Sequence, residues 1–225
     1  MGDRPSRGVS SNRRVEAGLE HEMRWWSEGC TVAGLDEAGR GAWAGPVVAA
    51  AVILPPDPDL LAQALAGVDD SKRLRPTARE QLYDRIQAVA TVAVGVVSPE
   101  VIDEVGILNA TYRAMRAALV ALPQQPDALL IDYLPRPLGD WPQQRLVRGE
   151  QASLSIAAAS IIAKVYRDRL MVELDARYPG YGFARHKGYG TAQHRRALDA
   201  LGPCPIHRRS WAPIRQLRLP WENGL

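Results

Sequence analysis

Short apolar runs bounded by glycine or proline alternate along this chain with longer amphipathic stretches. Strands are predicted where the runs are rich in valine, alanine and isoleucine, because such runs are typical of strands buried in a core. The predicted strands cover residues 31–35, 47–54, 91–97 and 128–131, with a further short strand at 146–147. Helical segments separate most of them, and this alternation predicts an α/β layer fold.

Helices are predicted where apolar residues recur with helical spacing behind a capping residue. The predicted helices cover residues 77–90, a short segment from 98, and residues 109–122, 153–177 and 191–201. The first half of the helix at 153–177 consists of small and apolar residues on nearly every side, which predicts that it lies buried against the sheet.

The same pattern divides the chain into three parts. Residues 1–28 are predicted to be a flexible charged leader, with room for a short helix around 14–27, and residues 216–225 a tail. Residues 29–215 form the main domain, which includes a C-terminal helical part at about 178–215. A chain of 225 residues with 46% hydrophobic content can bury one sizeable core.

Composition favours a cytoplasmic protein. Cys30 and Cys204 lie far apart without a disulfide-dense pattern, which suits a reducing compartment. The leader lacks the apolar core of a signal peptide, and the longest apolar run, 47–54, is too short to span a bilayer. No membrane role is predicted, and nothing in the sequence requires more than a monomer.

Positive charge is concentrated near the C-terminus. Residues 185–218 hold eight Lys and Arg against one acid, Asp199, so this segment carries +7 whereas the whole chain carries +3. A basic segment on a mildly acidic body is typical of a protein that binds a phosphate backbone, and a plain solvated surface is the alternative.

Four acids are predicted to meet at one edge of the sheet. Asp36 and Glu37 follow the first predicted strand, Asp132 ends another, and Glu150 stands just before the long buried helix. Carboxylates without histidine or cysteine partners favour Mg²⁺ or Mn²⁺ over zinc. Two such ions roughly 4 Å apart can hydrolyse a phosphodiester bond, and a two-ion site is therefore predicted.

Asp36 and Glu37 can share such a site only under one condition. Neighbouring residues of a strand point to opposite faces, so the strand must end there and the glycines at 39 and 41 must redirect Glu37.

Four blocks of sequence resemble ribonuclease HII over roughly residues 30–215. They are Gly34-Leu-Asp-Glu-Ala-Gly-Arg-Gly41 with Gly45-Pro46, then Asp70-Ser71-Lys72, then the Ser155–Val165 segment with Arg167-Asp168, and finally His186-Lys-Gly-Tyr189. The order and spacing of several independent blocks make the resemblance specific.

This resemblance implies a ribonuclease H-like fold, with a five-stranded mixed sheet flanked by helices and a C-terminal helical extension. It implies an endonuclease, dependent on Mg²⁺ or Mn²⁺, that cuts the RNA strand of RNA/DNA hybrids. It also implies nicking on the 5′ side of single ribonucleotides embedded in duplex DNA. The catalytic and metal-binding acids of the family carry over to Asp36, Glu37, Asp132 and Glu150. Its substrate-binding residues carry over to Gly39, Arg40, Gly41, Ser71, Lys72 and Tyr189.

The chemistry of these residue types agrees with that assignment. Distinguishing RNA from DNA requires contact with a 2′-hydroxyl, and glycines let the backbone approach a sugar closely. Arg40 can hold an adjacent phosphate in fork geometry. Tyr189 can test the next sugar, or it can simply be a half-buried aromatic residue.

Two departures from the family pattern affect the acids. Glu150 follows Arg148-Gly149 where the family commonly has aspartate after Lys-Gly, and Asp132 precedes a proline-rich loop where relatives often have glycine. Asp127 and Asp140 are therefore rival candidates for the acid at position 132.

Other functions stay open at the level of sequence. A ribonuclease H-like nuclease acting on DNA structures would cut DNA-only substrates, and a binding module with a dead site would bind without turnover. A histidine-based ribonuclease would release a 2′,3′-cyclic phosphate. A sliding clamp is a candidate partner for the tail.

Overall fold

The computed structural model of the protein describes residues 17–68 and 74–217. Its strands are β1 (Val32–Ala38), β2 (Val47–Ile53), β3 (Thr91–Val97), β4 (Ala128–Asp132) and β5 (Gln143–Leu146). Its helices are α1 (Glu20–Trp26), α2 (Pro58–Ala64), α3 (Pro76–Val89), α4 (Pro99–Ala121), α5 (Leu154–Arg177), α6 (Phe183–His186), α7 (Ala192–Leu201) and α8 (Ala212–Arg215), and a 3₁₀ turn covers Gly149–Gln151. The predicted α/β class is confirmed.

The described strands form one mixed five-stranded sheet in the order β3-β2-β1-β4-β5. β1 is antiparallel to β2 and parallel to β4, and β5 is parallel to β4. The pairing of β1 with β4 ends at Leu35 and Ile131, whereas its pairing with β2 continues to Ala38. Asp36 is therefore the first residue of β1 beyond its pairing with β4.

Helices cover both faces of the sheet, with α5 on one face and α4 on the other. Gly34 allows the close approach of α5, because a Cβ atom there would lie 2.2 Å from the carbonyl carbon of Ser155. The small apolar residues in the first half of α5 are buried against the sheet, as the sequence predicts.

Helix α2 was not predicted, whereas the region of α4 was. α2 was missed because its start, Asp57-Pro58, reads as a strand stop. The Asp57 side chain caps this helix by accepting from the Leu60 amide at 3.0 Å, and proline fits the first turn. The two helices predicted after Ser98 both lie within α4, whose backbone is non-helical at Gly106 (φ +77°), so a kink separates them as the sequence predicts.

Part of the predicted leader is packed rather than flexible. α1 lies within residues 17–28, and its Glu22 side chain is fully buried against the N-terminus of α5. At the other end, α6, α7 and α8 contribute to a separate apolar cluster with Met171 of α5. The domain bounds themselves stay a prediction.

Several predicted features lie outside the described residues. They are leader residues 1–16, the phosphate-contacting pair Ser71 and Lys72, and tail residues 218–225. In the part of the chain that is described, no helix is long and apolar enough to cross a membrane.

Candidate active site

Asp36 is the buried centre of the acidic edge of the sheet. Asp36 is only 5% exposed. One oxygen of its carboxylate accepts a hydrogen bond from the backbone amide of Glu37 at 2.7 Å. A hydrogen bond from Ser160 of α5 also reaches the carboxylate. The residue is therefore fixed between β1 and the buried helix.

The pKa of Asp36 is raised well above its ordinary value. Burial is the largest cause, and the negative charges of Glu37 and Asp132 follow. The hydrogen bonds from Ser160 and the Glu37 amide oppose this shift but do not cancel it. The charges of Glu37 and Asp132 therefore both act on Asp36, and together with burial they disfavour its charged form.

Asp132 and Glu150 are joined through one glycine. Asp132 is the last residue of β4, as predicted, and its Oδ1 atom accepts from the amide of Gly149 at 2.8 Å. Gly149 and Glu150 open the 3₁₀ turn before α5, behind Arg148 in a left-handed conformation with φ +56°. Glu150 is buried where the chain enters α5.

The predicted end of the first strand is wrong. β1 continues through Glu37 to Ala38, because β2 pairs with it antiparallel over Asp36–Ala50 and Glu37–Ala49. No turn redirects Glu37 at this point. Its carboxylate nevertheless acts on Asp36, and it accepts from Arg40 Nη1 at 3.1 Å.

The rival acids lie at the opposite edge of the sheet. Asp127 precedes β4 and accepts from the amide of Thr31, just before β1, at 2.8 Å. Asp140 precedes β5, which runs parallel to β4. Since the amino ends of parallel strands lie on the same side of the sheet, both rivals are separated from Asp132, which stands at the carboxyl end of β4.

The predicted recognition loop, residues 39–41, is hydrogen-bonded from behind by Arg208, and Arg167 packs against Gly39. Arg208 donates to the carbonyl oxygens of Gly39 at 2.7 Å, Arg40 at 2.9 Å and Gly45 at 3.0 Å. Gly39 has φ +95°, and a Cβ atom there would lie 2.0 Å from Nε of Arg167. Glycine is required at 39 by both conformation and space, whereas Arg40 and Gly41 face solvent.

Arg167 joins residues 44–46, which follow the recognition loop, to the segment that carries Tyr189. It donates to the carbonyl oxygens of Pro46 at 2.9 Å, Ala44 at 3.1 Å and Lys187 at 2.9 Å. Its guanidinium carbon also lies 5.5 Å from the centre of the Tyr189 ring. The backbone amide of Trp43 further donates to the Gly188 carbonyl at 2.8 Å.

Tyr189 and the recognition loop therefore belong to one rigid assembly. Tyr189 keeps 36% of its accessible surface, so the residue is partly exposed. Both sequence interpretations of Tyr189 agree with this exposure.

Arg167 and Arg208 were missed as functional residues. Both are fully buried, and burial lowers the pKa of each, that of Arg208 to about 9. Arg167 stands within a quoted family block, but no local pattern shows that either side chain supports the loop. Their partners are distant in sequence, up to 169 residues away for Arg208 and Gly39.

The three histidines of the basic segment form a buried network. His194 Nδ1 lies 3.0 Å from the Tyr189 carbonyl oxygen, and its Nε2 lies 3.0 Å from Nε2 of His207. The amide of Cys204 donates to His207 Nδ1 at 3.0 Å. His186 stacks on His194 with ring centres 4.4 Å apart.

These contacts are satisfied by neutral rings, and burial lowers the pKa of His194 and of His207 to about 4. A histidine-based ribonuclease needs an accessible imidazole. The burial of all three rings opposes that alternative.

The basic segment is less uniform than its charge count suggests. Arg208 is buried in the loop support, and Lys187 donates to the Ala184 carbonyl at 2.6 Å. Exposed side chains remain at Arg185, Arg195, Arg196, Arg209 and Arg215. This exposed subset is the surface available to a phosphate backbone.

The fold and the acidic edge define a ribonuclease H-like enzyme. The sequence model of the family described as ribonuclease HII matches residues 33–214. The chain belongs to the ribonuclease HII family and is an endoribonuclease, a hydrolase of phosphodiester bonds.

Curated relatives agree over most of their length. The chain is 54% identical over 211 residues to ribonuclease HII of Chloroflexus aurantiacus, covering 92% of this chain and 97% of the relative. It is 51% identical over 202 residues to a ribonuclease HII of Thermus thermophilus, covering 88% and 96%. Membership of this family supports cleavage of the RNA strand of RNA/DNA hybrids.

Solved structures share the fold. The ribonuclease H2 of Pyrococcus horikoshii matches with a TM-score of 0.69 and 28% identity, over 83% of this chain and 96% of that one. The RNase HII in a PCNA complex from Archaeoglobus fulgidus matches with a TM-score of 0.67 and 28% identity, over 84% and 96%. Bst-RNase HIII in complex with Mn²⁺ matches with a TM-score of 0.61 and 24% identity, over 83% and 68%, which supports the fold.

Proposed function

We propose that this protein is a metal-dependent endonuclease that cuts the RNA strand of RNA/DNA hybrids and nicks on the 5′ side of single ribonucleotides in duplex DNA. The products are a 3′-hydroxyl and a 5′-phosphate. The observation that carries the proposal is the placement of the acids: buried Asp36 lies on the central strand, where the charges of Glu37 and Asp132 act on it, and Asp132 is held at the end of the neighbouring strand by the Gly149 amide. A site that disfavours its own negative charge is suited to a cation.

The donor chemistry of the site fits Mg²⁺ or Mn²⁺. Asp36, Glu37, Asp132 and Glu150 offer only carboxylate oxygens, which hard cations prefer. Among residues 17–68 and 74–217, no three His, Cys, Asp or Glu side chains stand in a ready metal-holding group. The four acids would therefore have to adjust their side chains to hold one or two ions. Bound there, such ions would neutralise charge on the scissile phosphate and on the leaving oxygen.

The chain itself supplies the orientation of the acids. The Glu37 amide fixes one oxygen of Asp36, and the Gly149 amide fixes one oxygen of Asp132. These backbone donors lie on the central strand and in the 3₁₀ turn before the buried helix. Asp36 and Asp132 are thus oriented by backbone amides of regular elements.

The recognition loop reads the substrate in this proposal. Arg208 binds the carbonyl oxygens of Gly39 and Arg40 from behind, so these carbonyls are committed and the exposed side of the loop faces the substrate. Arg40 and Gly41 are exposed there, next to Glu37 of the acidic edge. A 2′-hydroxyl at this loop would lie beside the bond to be cut.

Three matched duplexes test the proposal, with one embedded ribonucleotide, a full RNA strand, or DNA only. We expect wild type to cut the first two and to leave the third intact. The Asp36→Asn variant should cut none of them. Equal cutting of the DNA-only duplex, or full activity of Asp36→Asn, would contradict the proposal.

Metal dependence and end chemistry need their own measurement. Excess EDTA should abolish nicking, and added Mg²⁺ or Mn²⁺ should restore it. End-group analysis should find a 3′-hydroxyl, because water is the proposed nucleophile. A 2′,3′-cyclic phosphate would instead indicate attack by the 2′-hydroxyl.

We also propose that the tail contacts a sliding clamp. The support is the Archaeoglobus fulgidus relative, which was solved as a complex with PCNA. Removal of residues 216–225 should abolish co-elution with the clamp while leaving nicking of a short duplex unchanged.

A further inference from the structure

Helix α1 carries a buried carboxylate that the proposed function does not use. Glu22 is 0% exposed. Its Oε1 atom accepts from Ser153 Oγ at 2.6 Å, from the Ser155 amide at 2.9 Å and from Ser155 Oγ at 2.7 Å. These donors lie 131 and 133 residues further along the chain. The carboxylate is therefore placed at this point by tertiary structure.

Glu22 and its neighbours complete the N-terminus of α5. The first amides of a helix lack partners within the helix and need external acceptors. Here the Leu154 amide donates to the Gly18 carbonyl at 2.9 Å, the Ser155 amide to Glu22, and the Ile156 amide to Ser153 Oγ at 3.3 Å. The segment around α1 thus supplies two of these three acceptors. A carboxylate is also favoured by the positive end of the helix dipole.

The capped residues lead directly to the acids of the site. The Ser153 amide donates to the Gly149 carbonyl at 2.9 Å, and the Gly149 amide donates to Asp132 at 2.8 Å. Glu150 follows Gly149 in the same 3₁₀ turn. A continuous chain of hydrogen bonds therefore runs from Glu22 through Ser153 and Gly149 to Asp132.

A second contact joins α1 to the strand before this turn. His21 Nδ1 lies 3.0 Å from Oε1 of Gln144 in β5. α1 consequently touches the chain on both sides of the 148–150 turn, at β5 and at the start of α5.

We infer that Glu22 is a positioning residue for Asp132 and Glu150. Helix α1, which carries Glu22, would thereby help to orient these two proposed metal ligands. This inference rests on the proposed function, because it assumes that these two acids hold the cation. Glu22 fixes Ser153, Ser153 fixes the carbonyl of Gly149, and Gly149 fixes both the Asp132 carboxylate and the start of the turn that carries Glu150.

The test compares Glu22→Gln with Glu20→Gln. Both changes remove one negative charge from α1, but Glu20 is exposed and serves as the matched control. Binding of Mn²⁺ alone is measured by calorimetry without substrate, together with thermal unfolding and with kcat and KM on a duplex with one ribonucleotide. Loss of an outer partner of a metal ligand typically weakens binding about tenfold or more.

We expect Glu22→Gln to weaken Mn²⁺ binding about tenfold, to lower kcat at limiting Mn²⁺, and to leave KM for the duplex unchanged. Saturating Mn²⁺ should restore most of kcat, and Glu20→Gln should match wild type in every measurement. Unchanged Mn²⁺ affinity and kcat in a folded Glu22→Gln protein, with only a lower unfolding temperature, would overturn the inference.

Ser155→Ala provides a second variant should Glu22→Gln fail to fold. It removes one hydroxyl donor to Glu22 and keeps the carboxylate, so we expect a loss of Mn²⁺ affinity that is smaller than in Glu22→Gln. Wild-type Mn²⁺ affinity in this variant would likewise overturn the inference.

The outcome is separable from failure of the proposed function. Glu150→Gln tests that function directly, since it should impair Mn²⁺ binding and nicking in an otherwise intact protein. If Glu150→Gln behaves as wild type, the assignment of the acid fails. If Glu150→Gln is impaired and Glu22→Gln is not, only the positioning role of Glu22 fails.

Discussion

The acidic edge and the arginine pair behind the recognition loop both bury groups of like charge. The two places differ in the hydrogen-bond partners that the chain provides for these groups. Arg167 and Arg208 direct their donors at backbone carbonyls of the 39–46 loop and of Lys187. Asp36 accepts from one backbone amide and one serine, and two other acids act on it. Like charges repel one another in both places, but the buried arginines donate to several backbone carbonyls, whereas the hydrogen bonds to Asp36 come from one amide and one serine.

The pKa values express the same difference. Burial lowers the pKa of Arg208 only to about 9, so its guanidinium stays charged at neutral pH. Burial and neighbouring acids raise the pKa of Asp36, so its charge is disfavoured in the fold. The comparison indicates that the arginine pair supports the fold, whereas the acidic edge is where we propose that a cation binds.

The largest effect is expected at Asp36, where a substitution should abolish activity without reducing stability. Asp36→Asn should lower nicking at least about 10³-fold, as loss of a central catalytic group does. Because the folded-state pKa of Asp36 is raised, its charge opposes folding at neutral pH, and the variant should be as stable as wild type or more stable. Urea unfolding alongside the nicking assay checks this, and a large loss of stability would contradict the comparison.

The reverse pattern is expected at Arg208. Arg208→Met leaves the carbonyls of Gly39, Arg40 and Gly45 without this donor, which should reduce the free energy of unfolding by about 3 kcal/mol. Exposed Arg209 offers a neighbouring control, since Arg209→Met should change stability by less than about 0.5 kcal/mol. Urea unfolding of both variants measures the difference, and equal values would show that burial of Arg208 contributes little.

Acid should weaken the histidine network that holds the Tyr189 carbonyl. The folded-state pKa of His194 and of His207 is about 4, below the ordinary value of 6.5. Neutral rings therefore contribute stability that is complete above about pH 6.5 and is lost as pH falls towards 4, on the order of a few kcal/mol. Unfolding measured across this range should show the loss, and His207→Gln should flatten it.

Arg40 should give the smallest effect on stability. Its ion pair with Glu37 is exposed on the arginine side, and such pairs contribute about 1 kcal/mol or less. Arg40→Ala should raise KM for a ribonucleotide duplex and reduce the salt slope of binding by about one phosphate contact. Binding titrations at several salt concentrations test this, and an unchanged slope would remove the phosphate role.

Local patterns predicted the regular elements that lead to the site well. The strand at 47–54, the strand at 128–131 with Asp132 at its end, and the long buried helix from about 153 depend on short-range apolar spacing. The end of β1 was wrong because pairing with β2, a tertiary contact, extends the strand through Glu37 to Ala38.

The C-terminal charge shows the same limit in another form. Counting placed Arg208 among residues available to a phosphate backbone. Folding instead buries it against a loop 163–169 residues earlier in the chain. Composition cannot distinguish a cation that binds substrate from one that supports the substrate-binding loop.

The sequence by itself determined the family, the α/β class and the four candidate acids, because these depend on motifs and on spacing along the chain. Only the tertiary structure decided which charges are buried and which groups surround them. It separated Asp127 and Asp140 from the acidic edge, buried the histidines, and brought Glu22 to the first turn of α5. The physical reason is that desolvation and hydrogen-bond partners depend on the folded arrangement, with contacts up to 131 residues apart for Glu22 and Ser153 and 169 for Arg208 and Gly39, which no local pattern records.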